Sequence, residues 1–213
     1  MLCLETIAPE TLALLVRIQS LPEFAQVRLV GGTGLALQLG HRISVDLDLF
    51  GSWPQDSDLH QALRSVGKTR KSSGSASGRL LFFYVDGVKV DCVTYDEYPW
   101  LEPAIEENGV RLAGVRDIAA MKINAITNRG TRKDFVDLAF LLERFSLNEI
   151  FGFYMKKYPE ANPALALRSL SYFVDAEMEP LPRMLMPFDW KEAKARISEA
   201  VRKMVRRCAV DGV

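Results

Sequence analysis

The hydrophobic period changes near residue 113, and that change limits the possible folds more than any other feature of the chain. Beyond it, apolar residues recur at helical spacing through "VRDIAAMKINAITNR", "TRKDFVDLAFLLERF", "LNEIFGFYMKKY" and "PALALRSLSYFV", then through a last helix from Asp189 to about Arg207. Before it, short apolar runs are punctuated by glycine. "APETLALLVRIQSL" reads as an opening helix with Pro9 in its first turn, and "VRLVGG" as a strand closed by a turn. "TGLALQLG" fits a brief helix ending at Gly40, and "ISVDLDLFG" alternates as a second strand. Residues 57–66 read as helical, and "GKTRKSSGSASGR" as a polar loop. "RLLFFYV" and "VKVDCVTY" flank Asp86-Gly87, the dipeptide of a two-residue hairpin turn. The expectation is an α+β chain, with an α/β core over residues 1–113 and a helical region over 114–213.

Composition narrows the function classes. The chain has 213 residues, 48% of them hydrophobic, enough for a full core. Its 27 Lys and Arg balance 27 Asp and Glu, so any nucleic-acid surface must be local. Cys3, Cys92 and Cys208 are far apart and odd in number, the usage of a reduced intracellular protein, and with only His41 and His60 as histidines and no CxxC pair a zinc site is not expected. The N-terminus has acidic residues and a proline where a signal peptide needs a basic start, and no apolar stretch is long enough to span a bilayer. A cytoplasmic protein without a membrane partner is expected.

The chemistry concentrates in "GGTGLALQLGHRISVDLDLF". In a strand, Asp46 and Asp48 project from one face while Val45, Leu47 and Leu49 point to the core. Two like charges held so close call for water or a hard cation, although a half-exposed strand with solvated acids is the plainer account. Gly31 and Gly32 allow close backbone approach, and Thr33 opens the following helix, so amides and a hydroxyl can gather around a phosphate. The turn lacks the Lys-Ser/Thr of a Walker loop and the third glycine of a dinucleotide fingerprint. Asp91 interrupts the apolar "VKVDCV"; it reads either as an edge-strand charge or as a third oxygen ligand. Taken together, these residues supply a phosphate cradle and three carboxylates for two metal ions.

This arrangement resembles the DNA polymerase β-like nucleotidyltransferases, whose pattern is Gly-Gly or Gly-Ser, a helix, a strand Asp-x-Asp and a third Asp on a neighbouring strand. Here the matching residues are Gly32-Thr33, Asp46, Asp48 and Asp91. Within that superfamily the segment is most similar to the AbiEii/AbiGii abortive-infection toxins, in which an arginine and a serine precede "DLDLF" as Arg42 and Ser44 do. Downstream, "DIAAMKINAITNRGTRKDFVDLAFLL" resembles that family's lysine helix and Lys-Asp-x-x-Asp segment, with Lys122, then Lys133, Asp134 and Asp137. The resemblance spans residues 27 to 145 and fades beyond. It implies a polymerase β-like sheet core whose helical region completes the active-site cleft, and a metal-dependent nucleotidyltransferase of the type IV toxin-antitoxin class. Asp46, Asp48 and Asp91 would hold Mg²⁺ or Mn²⁺, and an NTP would be the co-substrate. Gly32, Thr33, Lys122 and Arg129 would bind the nucleotide, with Lys122 and Asp134 counted among the catalytic residues. A tRNA or other RNA acceptor and a cognate antitoxin are the implied partners. The family turn more often carries Ser where Thr33 stands.

The helical half can be read without the family. Lys122, Ile126 and Arg129 fall at successive helical spacings and can line one edge with positive charge. Asp137 fits an ordinary surface ion pair with Lys133, and Asp134 either a helix-start acid or an orienting partner for Lys122. The last helix, Lys191 to Arg207, carries Arg202, Lys203, Arg206 and Arg207, which fit either RNA phosphates or a solvated face. Two other functions remain open: an antibiotic-type adenylyltransferase with a small-molecule acceptor, and an inactive nucleotide- or antitoxin-binding module.

Overall fold

The structure is a computed structural model that describes residues 1–75 and 77–210, with side chains through 207. The chain divides into two compact units, the first ending at Gly114 and the second beginning at Val115.

The first unit is built on a mixed seven-stranded sheet. Its elements are α1 (Pro9–Gln19), β1 (Val27–Leu29), α2 (Gly31–Leu39), β2 (Leu47–Gly51), α3 (Leu59–Arg64), β3 (Thr69–Gly74), β4 (Leu80–Val85), β5 (Val88–Thr94), β6 (Ile105–Glu107) and β7 (Val110–Leu112). The strand order is β3-β4-β5-β2-β1-β7-β6. β2 runs parallel to β5 and β1 to β7, while the remaining pairs are antiparallel. One face of the sheet buries Leu29, Leu47, Leu49, Phe83, Val85, Val90, Cys92 and Leu112 with Leu14, Leu15 and Ile18 of α1. Burial of Cys92 pushes its thiol pKa up, so it is an inert core residue.

Local chemistry explains several boundaries. Pro9 occupies the first turn of α1, where a missing N–H costs nothing. α2 stops at Gly40, whose φ of +73° ends the helix in the left-handed region. The expected hairpin forms with Val85 paired to Val88 across two residues, and Asp86 and Gly87 both at positive φ, as the primed turn requires. The sheet departs from expectation at three places. The polar segment 67–79 contains β3, an edge strand paired with β4, rather than loop alone. The strand read over 43–51 begins only at Leu47, and Val45 is exposed instead of core-facing. A second hairpin, β6 to β7, turns at Asn108 and Gly109, again both at positive φ.

The second unit is all helical: α4 (Val115–Asn128), α5 (Arg132–Leu141), α6 (Leu147–Lys157), α7 (Pro163–Ser169), α8 (Val174–Glu177) and α9 (Trp190–Val210). α4 packs against α5, α6 and α7, and α9 lies along α5 and α6. α6 starts with a capping box in which Ser146 and Glu149 each satisfy the other's backbone N–H. Asn162 caps α7 through the Leu165 N–H, and Asp189 accepts from the Glu192 N–H at the start of α9. Two lysines are buried here with acidic partners. Lys157 donates to Asp117 at 2.7 Å with both side chains out of solvent, and Lys122 is discussed below. Among the described residues no helix is long and apolar enough to cross a membrane.

Candidate active site

Alternation along β2 places Leu47, Leu49 and Gly51 in the core and Asp48 and Phe50 on the other face. In β5, Val90 and Cys92 are core, which sends Lys89 and Asp91 to that same second face. The parallel register then sets Asp48 directly beside Asp91. β5 lies between β4 and β2, so Asp91 is not an edge-strand charge. Asp46 sits one residue before β2, half-buried, with its backbone carbonyl hydrogen-bonded by the Thr33 hydroxyl.

The glycine turn is fitted to these acids. Gly31 begins α2 at φ +64°, and a Cβ built there would lie 1.9 Å from Asp48 Oδ2. Only a bare Cα lets the carboxylate reach the helix N-terminus, where unpaired amides favour negative charge. A Cβ on Gly32 would meet Arg42 Nη2 at 2.3 Å and Ser44 Oγ at 3.3 Å. Arg42 and Ser44 are themselves buried, and Arg42 donates to the Ile43 carbonyl. The residues that precede "DLDLF" therefore form the floor beneath the turn. Thr33 differs from the expectation of a phosphate-facing hydroxyl. It is 1% exposed, and its Oγ1 lies 2.8 Å from Ser44 Oγ as well as bonding the Asp46 carbonyl. Its hydroxyl bonds the Asp46 backbone instead.

Sequence reasoning missed Lys89. Its Nζ donates to Asp91 Oδ2 at 2.6 Å. Partial burial opposes its charge, but the hydrogen bond and charge of Asp91, with the fields of Asp48 and Asp46, outweigh that and raise its pKa. One ammonium thus feels all three carboxylates. The signal was present in "VKVD", since residues two apart in a strand share a face.

The donor set suits a hard divalent ion. Asp91 is nearly buried, and its Oδ1 has no hydrogen-bond partner. A buried carboxylate oxygen left in that state is costly, and oxygen-ligated Mg²⁺ or Mn²⁺ is the kind of partner that satisfies it. Among the described residues, however, no three His, Cys, Asp or Glu side chains form a closed metal-binding group.

In the helical unit, Lys122 does not lie on an open basic edge. It is 4% exposed, with Nζ 2.9 Å from Asp134 Oδ1 and 2.6 Å from Asp137 Oδ2, and Ile126 is core. Asp137 is fully buried and contacts Lys122, so it is not a surface acid, while Lys133 is exposed. Asp134 also accepts from Thr131 at 2.5 Å and from Arg129 Nε at 3.2 Å. Burial pushes its pKa up, but the charges of Lys122 and Arg129 and the bonds from Thr131 and Lys122 prevail and bring it down to about 2. Asp134 is both a first-turn acid of α5 and the partner that orients Lys122.

Solved structures share this architecture. The fold matches JHP933 from Helicobacter pylori with TM-score 0.57 and 18% identity, covering 97% of this chain and 96% of that one. It also matches MenT4, a nucleotidyltransferase toxin from Mycobacterium tuberculosis, with TM-score 0.52 and 15% identity over 88% of this chain and 79% of that one. The fold is that of nucleotidyltransferases. Residues 13–209 match the family described as nucleotidyl transferase AbiEii toxin, type IV TA system, and the chain belongs to that family. An uncharacterized protein of Aquifex aeolicus is 34% identical over 180 residues, covering 82% of this chain and 86% of that protein.

Proposed function

We propose that the protein transfers a nucleotide from an NTP to a hydroxyl of an RNA, with tRNA as the acceptor class, and that it acts as the toxin of a pair with a cognate antitoxin. The observation that carries this reading is the register that sets Asp48 beside Asp91 while Asp48 Oδ2 reaches the bare Cα of Gly31 at the start of α2. It brings acids able to hold a cation next to amides able to hold a phosphate.

In this reading the α2 amides at Gly32 and Thr33 bind the triphosphate, and Arg42 beneath Gly32 adds positive charge there. Asp46, Asp48 and Asp91 would hold Mg²⁺ or Mn²⁺, which would offset the phosphate charge and make the acceptor hydroxyl more acidic. Asp91 Oδ1, the oxygen without a protein donor, takes the hydrogen bond of that hydroxyl and helps it lose its proton. The hydroxyl oxygen attacks the α-phosphorus in line and pyrophosphate leaves.

The test is incubation with each radiolabelled NTP, Mg²⁺ and total RNA. Label should appear on RNA with the wild-type chain and not with Asp48→Asn. Label on a small-molecule acceptor alone would replace RNA with the antibiotic-type reading. No label on any acceptor, from a chain that still binds NTP, would favour a binding module.

A further inference from the structure

We propose that Lys89 is the resident cation of the carboxylate face, so that a divalent ion at these acids competes with the Lys89 ammonium for Asp91. The inference rests on the reading of Asp46, Asp48 and Asp91 as metal ligands, and it adds a determinant of metal affinity that lies outside those ligands.

Three observations carry it. The first is position: Lys89 and Asp91 are two residues apart in β5 and share the face that also carries Asp48. The second is contact: Nζ lies 2.6 Å from Asp91 Oδ2, while the other oxygen of that carboxylate is buried without a donor. Asp91 is therefore half satisfied, and the ammonium takes one of the two oxygens that a metal could use. The third is exposure. The Lys89 side chain is 38% exposed and that of Asp91 13% exposed, so the ammonium can turn out into solvent while the acid stays on the sheet face. Its stem runs past Phe82, with Nζ 5.8 Å from the ring centre, and its backbone pairs with Tyr84. These aromatic neighbours can hold the ammonium once it leaves the acid.

The physical consequence is competition. Without metal, Lys89 offsets the mutual repulsion of Asp46, Asp48 and Asp91 and keeps Asp91 from being a buried anion with no partner. With metal, the same three acids serve the divalent ion, and the lysine must leave or lose part of its interaction. Metal affinity in the absence of nucleotide is held down by the energy of the Lys89–Asp91 contact. A nucleotide that brings its own metal overcomes this, which couples metal loading to substrate binding.

The experiment measures Mn²⁺ binding to the full chain without nucleotide, by electron paramagnetic resonance, alongside thermal unfolding with and without Mn²⁺. Lys89→Met should bind Mn²⁺ at least about tenfold more tightly than wild type, because a like charge within hydrogen-bonding range of a ligand oxygen is removed. Its metal-free melting temperature should fall below that of wild type, and Mn²⁺ should raise it by more. Lys89→Arg, which keeps the charge, should retain the wild-type affinity. Equal Mn²⁺ affinity and equal thermal shifts in wild type and Lys89→Met would overturn the proposal. The metal-site reading is tested separately by Asp48→Asn and Asp91→Asn. If these bind Mn²⁺ as well as wild type does, the site itself is wrongly placed, and with it the role of Lys89. If they lose binding while Lys89→Met is unchanged, only the role of Lys89 fails.

Discussion

Asp48 and Gly31 are tied together by a distance that leaves no room for a side chain on the glycine. Gly31→Ala adds a methyl 1.9 Å from Asp48 Oδ2 at a φ of +64° that alanine resists. It should cost about 1–3 kcal/mol of stability, measured by urea unfolding, and displace Asp48 enough to abolish transfer. Asp48→Ala should instead leave the fold intact while abolishing transfer, because Asp48 is half-buried on the site face and fills no core. A large loss of melting temperature in the metal-free variant would mark Asp48 as structural. Asp134 gives a pH prediction. Its folded pKa of about 2 lies below the ordinary carboxyl value, so the stability it contributes is fully present above about pH 4 and is lost as pH falls toward 2. Over that window the wild-type chain should lose roughly 2 kcal/mol on this account. Asp134→Asn should start less stable and show a flatter dependence, read by circular dichroism during unfolding at each pH. Residue identity announced the chemistry of these groups in advance. It did not reveal that Lys122 is caged or that Thr33 faces inward, since both depend on which side chains converge from other elements.

At the scale of elements, legibility followed local signal strength. The β4–β5 hairpin was readable because Asp86-Gly87 lies between two apolar runs. The β6–β7 hairpin carries an equivalent Asn108-Gly109 turn but has strands of only three residues, too short to show a period. β3 is mostly exposed, with Arg70, Lys71 and serines, so it has no apolar alternation at all. It is extended because β4 offers it a ladder and because the Arg70 guanidinium lies 5.1 Å from the Tyr84 ring centre. Helix starts, by contrast, are local chemistry. Ser146→Ala removes the hydroxyl that accepts from the Glu149 N–H at the start of α6. The loss should be about 1 kcal/mol in equilibrium denaturation, with no effect on metal binding by the sheet unit.

At the scale of the whole molecule, the proposed RNA acceptor calls for a basic surface. α9 presents Arg202, Lys203, Arg206 and Arg207 to solvent, with Glu199 paired to the first two. Neutralising all four should spare NTP binding, lower RNA affinity and flatten its dependence on salt, because fewer counterions are released. Lys122→Ala should behave differently: it leaves Asp134 and Asp137 buried without their ammonium, so the melting temperature should fall sharply whatever the acceptor. Unchanged RNA affinity and salt slope in the fourfold variant would remove α9 from the RNA site.

The sequence alone determined the division into a sheet-bearing half and a helical half, the β4–β5 turn, the helix starts and the presence of acids beside a glycine turn. These rest on periodicity and on residues within a few positions of one another, where backbone geometry decides the outcome. Only the tertiary structure decided that Asp48 stands beside Asp91, that Lys89 sits among the acids, and that Asp134 and Asp137 enclose Lys122. Strand register and helix packing join residues far apart in the chain, and these contacts are selected by burial of the whole core, which no local pattern encodes.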